Sequence, residues 1–116
     1  TSWVTVELTG VPGGDEAHLE LRPVAHVPDE FWDQFGPGAV GVGWDGALVG
    51  LDLHISSGER VDPEEFRRWE ATPEGAAFMS TSSTAWADAA IAAGVEPEVA
   101  RGWEGRLTAS ATVSGG

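Results

Sequence analysis

Residues 41–46 read GVGWDG and fit G-x-G-x-x-G, the glycine-rich turn that brings backbone up against a pyrophosphate at the start of a helix. Such a turn needs a strand running into its first glycine and a helix opening at its last. Here FGPGAV precedes Gly41, too broken for a buried parallel strand, and an apolar helical period through Val40 and Trp44 already crosses the motif. The glycines belong to a helix start, and nucleotide binding is not expected of them.

The other chemically able residues are thinly placed. His18, His26 and His54, with abundant carboxylates, offer donors for a metal or acid–base site. Yet His18 and Glu20 share the strand face opposite Leu19 and Leu21, which is expected to meet solvent. His54 falls at a helix end, where a partly charged imidazole meets the dipole favourably. The run Ser80-Thr81-Ser82-Ser83-Thr84 has no G-x-S-x-G elbow. Hydroxyls inside a helix usually bond back one turn, and their small size suits close packing beside an anchor such as Trp86. An enzyme would have to draw on Glu7, His18, Glu20 and His54, so no catalytic residue, metal or cofactor is assigned. Six tryptophans, Trp3, Trp32, Trp44, Trp69, Trp86 and Trp103, are the remaining resource, able to fill a core or to line an apolar ligand cavity.

The elements that must position these residues follow from period and punctuation. WVTVELT (3–9) alternates strictly, with Val4, Val6 and Leu8 on one side, and HLELR (18–22) answers with Leu19 and Leu21 across the turn signal PGGD. The expectation is an antiparallel hairpin ended by Pro23 and Pro28. A lone hairpin is marginal. Its sheet is therefore expected to be completed by a segment outside these residues or by a second copy of the chain. After a short aromatic piece at 29–38, the spacing of Val40, Trp44, Leu48, Leu51 and Ile55 predicts an amphipathic helix. Gly43, Gly46 and Gly50 along it suggest close helix packing. Asp62-Pro63-Glu64-Glu65 and Thr72-Pro73-Glu74 each read as a cap followed by proline at the first helical position, Gly94 as the end of the second of these helices, and Glu96-Pro97 as the start of a last helix. SATVSGG (110–116) reads as a frayed tail.

The chain has 116 residues, 41% hydrophobic, with 19 acidic and 6 basic side chains and a formal charge of -13. That charge repels phosphate backbones and anionic lipid surfaces, so neither nucleic acid nor membrane is an expected partner. There is no cysteine, hence no disulfide and no thiolate chemistry, and cytoplasm is the expected compartment. The fold class expected is α+β: a hairpin packed on a long helix in residues 1–58, then a helical extension in 59–116.

In the order strand, turn, strand, loop and G-x-G-W-D-x-A-L-x-G-L-x-x-H, the chain resembles the end of the SRPBCC, or START-like, superfamily. The likeness rests on VTVELTG, AHLELRPVAHV, FWDQFGPGAVGVGWDGALVGLDLHI and TPEGAAFMSTSSTAWADAAIAAG, and spans about residues 3 to 100. It is strongest for the bacterial branch of homologues of the heat-shock chaperone ATPase activator, which carry such a helical extension. The tail after Trp103 departs from that branch's usual aromatic ending. The resemblance covers only the family's C-terminal half and extension, and implies a helix-grip fold holding a hydrophobic small molecule between sheet and long helix. The expected ligand-facing residues are Val4, Val6, Leu8, Leu19, Leu21, Trp44, Leu48 and Leu51. The alternative is an interaction or dimerisation module, with a cyclase-type enzyme behind both.

Overall fold

The alternating N-terminal segments pair in register. In the computed structural model, which describes residues 2–115 and the side chains of residues 2–110, β1 (Trp3–Gly10) and β2 (Ala17–Val24) form an antiparallel hairpin. Val4, Val6 and Leu8 stand opposite Pro23, Leu21 and Leu19, which makes one face apolar. On the other face Glu7 stands opposite Glu20, and the Arg22 guanidinium reaches both, at 3.0 and 2.8 Å. That cation offsets the repulsion between two carboxylates facing each other across the strands. Five helices follow, giving the α+β class expected: α1 (Asp29–Phe35), α2 (Gly38–Ser57), α3 (Pro63–Glu70), α4 (Pro73–Ala92) and α5 (Pro97–Gly115).

Local chemistry sets the helix ends. The Asp62 carboxylate accepts from the Glu64 N–H at 3.0 Å and the Thr72 hydroxyl from the Gly75 N–H at 3.2 Å, with proline at the next position in each case. Gly94, just past α4, takes φ 108°, a left-handed value that glycine adopts without a steric penalty. α5 runs on to Gly115, so residues 110–115 of the segment expected to fray have helical backbone; Gly116 and the side chains of 111–115 lie outside the described residues.

The short connection 93–96 lays α5 antiparallel on α4. Thr84 donates to Glu104 at 2.5 Å and Arg101 to Asp88 at 2.6 Å, while Ala87, Ala90, Ala100 and Trp103 form the buried core between them. α1 is only seven residues long, so its last carbonyls lack partners within the helix. α5 supplies them: Trp103 Nε1 donates to the Asp33 carbonyl at 3.1 Å and Arg106 Nε to the Gln34 carbonyl at 2.7 Å. The Trp103 ring lies over Gly36, where a β-carbon would collide with it and where φ is 57°.

α2 is joined to α4 in the same manner. The Trp86 ring lies on Gly41, and its Nε1 donates to Asp45 Oδ2 at 3.0 Å; the Ser82 hydroxyl donates to the same oxygen at 2.6 Å. These bonds tie the part before residue 58 to the part after it. Close packing thus falls at Gly41 and Gly38, and the reading that assigned it to Gly43, Gly46 and Gly50 is corrected. A β-carbon at Gly43 or Gly50 would meet nothing within 4 Å, and at Gly46 only Phe66 at 3.9 Å. Gly41 and Asp45 are one turn apart on the face toward α4, whereas 43, 46 and 50 form a different stripe. Thr84 bonds back to the Ser80 carbonyl as expected of a helical hydroxyl, at 3.1 Å, but Ser82 bonds across to α2, and buried Ser83 Oγ has no hydrogen-bond partner among the described residues.

Gly41→Ala is expected to lower stability by about 1–3 kcal/mol through overpacking against Trp86. Gly43→Ala should raise it by about 0.5–1 kcal/mol, the helix-propensity gain at an open position; thermal melts of the two variants check the contrast. Donation from Thr84, then from Arg101, holds the Glu104 carboxyl below its ordinary value of 4.5 against a smaller opposing effect of burial. A carboxyl lowered by folding stabilises fully above its unfolded value, and that stabilisation disappears as pH falls through the folded one. The stability difference between the native chain and Glu104→Gln should accordingly be present near about pH 7 and shrink by about pH 3, as denaturant titrations at each pH will show.

Candidate ligand cleft

The apolar hairpin face leans toward α1 and the first half of α2 without closing on them, leaving an open cleft of about 750 Å³. That volume is in the range of sites for drug-sized organic molecules. The strands contribute Trp3, Val4, Leu19, Leu21 and Val24 to its lining. The helices contribute Trp32, Val40, Trp44 and Leu48, and the α2–α4 junction adds Gly41, Asp45 and Trp86. Four of the six indoles and one carboxylate therefore border a single opening. Its geometry depends on that junction, because the bonds from Trp86 and Ser82 fix the Asp45 carboxylate from the α4 side.

Of the residues that the sequence pattern groups as ligand-facing, Val4, Leu19, Leu21, Trp44 and Leu48 line the cleft. Val6, Leu8 and Leu51 do not, and they are 58%, 69% and 41% exposed. Val6 and Leu8 share their face with Leu21 and Leu19, which stand opposite them and do line the cleft, so the opening lies on the β2 side of the hairpin and takes in β1 only at Trp3 and Val4. Leu51 lies about 10 Å along the helix from Trp44, beyond the opening. The cleft also takes in Trp3, Trp32 and Trp86, which the sequence offered only within the group of six tryptophans able to line a cavity, and Asp45, which sequence reasoning missed. Strand alternation puts Trp3 on the opposite face with Thr5 and Glu7. Trp3 pairs with Val24 at the open end of the hairpin, however, where the chain leaves for α1, and both border the cleft there. The density of tryptophan was the only signal for Trp32 and Trp86, and Asp45 had none.

A second groove, of about 540 Å³, runs between Gly43, Gly46 and Gly50 of α2 and an aromatic row, Phe66, Trp69 and Phe78, whose ring centroids are 5.5 and 5.8 Å apart in succession. The α2 glycines open this groove instead of closing it.

The acid–base candidates do not converge. Glu7, Glu20 and His18 stay on the polar face of the hairpin, and the His54 ring donates to the Glu59 carbonyl at 2.7 Å. Among the described residues no group of three or more histidines and carboxylates is placed to hold a metal ion, and no helix is long and apolar enough to cross a membrane. No family model, no curated protein and no solved structure matches the chain. Its function accordingly has to come from the cleft's own chemistry and not from the fold class.

Proposed function

We propose that the chain binds an apolar small molecule in the cleft between the hairpin and α2. The observation that carries this is the gathering of Trp3, Trp32, Trp44 and Trp86 with Val4, Leu19, Leu21 and Leu48 around one opening of about 750 Å³. Apolar surface left in water costs about 25 cal/mol per Å², and a ligand that covers it recovers that amount. The START-like resemblance supports the same place, between sheet and long helix. Glu7, His18, Glu20 and His54 lie outside the cleft, so the reading assigns it no catalysis. A chain without cysteine suits the reducing cytoplasm.

Nile red, a neutral apolar dye, should bind saturably to the native chain with a rise in its emission. Trp44→Ala should weaken that binding by at least about tenfold, as loss of an aromatic anchor does. Unchanged binding in the variant would remove α2 from the site.

A second reading is favoured by one observation. Val6 and Leu8, 58% and 69% exposed, offer apolar surface outside the cleft on a strand with an open edge. Such an edge recruits a partner strand. In this reading a second copy of the chain covers that surface, and sedimentation equilibrium would show a dimer that dissociates on dilution. A monomer at every concentration contradicts it.

A further inference from the structure

The cleft is not uniformly apolar. Asp45 borders it, and what holds Asp45 is neutral: the Ser82 hydroxyl and the Trp86 indole N–H, both on Oδ2. Neutral donors orient a carboxylate without cancelling its charge. The described cations are engaged elsewhere or lie outside the cleft. Arg22 is bonded to Glu7 and Glu20, Arg101 to Asp88 and Glu104, and Arg106 to the Gln34 carbonyl. Neither these nor Arg60, Arg67 or Arg68 line the opening, nor does any histidine, and the chain has no lysine.

We propose that the cleft selects an organic cation, a primary or quaternary ammonium group on an apolar body, with Asp45 as its counter-ion. The proposal rests on the small-molecule reading above and names the ligand's class. Two further features point the same way. Indoles are the aromatic groups that attract cations best, and four border the carboxylate's cleft. The formal charge of -13 raises the local concentration of cations and opposes carboxylate ligands such as fatty acids.

Three probes of one shape separate the possibilities: phenylbutylamine, phenylbutanol and phenylbutyrate, titrated by calorimetry into the full 116-residue chain. The amine should bind about tenfold more tightly than the alcohol, and the alcohol more tightly than the acid. Asp45→Asn, which keeps an oxygen to accept from Ser82 and Trp86, should bring amine and alcohol to within about twofold of each other. Asp52→Asn, an exposed carboxylate outside the cleft, should leave the tenfold preference intact and so exclude the effect of net charge alone. Equal binding of amine and alcohol overturns the cation inference while leaving apolar binding in place, and binding of none of the three overturns both. If the Asp45 variant does not fold, the ratio in the native chain still decides the ligand class. The Trp86 indole proton resonance then locates the charge, moving more with the amine than with the alcohol; an equal shift with both overturns the assignment to Asp45.

Discussion

Two indoles seated on glycines hold the helical part together. A buried tryptophan brings a large flat volume and one N–H that must find an acceptor, so it needs room and an oxygen in the same place. Trp103 has both at the end of α1, with its ring on Gly36 and its N–H on the Asp33 carbonyl. Trp86 has both on α2, with its ring on Gly41 and its N–H on Asp45. Each glycine is set by the ring that covers it. α4 and α5, already joined through alanines, thereby fix α2 and α1 respectively, and with them the helical wall of the cleft.

GVGWDG acquires a definite role from this arrangement. Gly41 makes space for the indole, Trp44 faces the cleft, and Asp45, one turn after Gly41, accepts the hydrogen bond from the indole N–H. The stretch is a seat for a side chain of the same molecule and not a cradle for phosphate. A negative charge at Asp45 beside an opening of the size of an organic ligand gives the cleft a polarity that its leucines and valines alone would not.

The parts legible in the sequence are those fixed by neighbours along the chain. Strand alternation put Val4, Val6 and Leu8 on one face and Leu19 and Leu21 on the face that meets it, and Asp62, Thr72 and Gly94 marked helix ends, because capping and period act within a few residues. The parts that were not legible depend on which helix turn meets which. Gly43, Gly46 and Gly50 looked like the packed stripe, yet Gly41 is the packed one, since only the placement of Trp86 on α4 distinguishes them. The cleft was half legible for the same reason: periodicity groups residues by face, and a site takes in only the part of that face that another element approaches. Val6 and Leu8 lie on the strand away from the opening, opposite Leu21 and Leu19 that line it, and Leu51 lies beyond it along α2, while Trp32, Asp45 and Trp86 enter through tertiary contacts that no spacing encodes.

The tryptophans themselves offer the most direct measurement. Their six indole N–H resonances, assigned by nitrogen-labelled NMR, can be followed while phenylbutanol, a neutral apolar probe, is added. If the cleft between hairpin and α2 is the binding site, the signals of Trp3, Trp32, Trp44 and Trp86 move together and saturate, while those of Trp69 and Trp103 stay in place. Movement of Trp69 with the other four unmoved would place the ligand in the second groove and contradict the account.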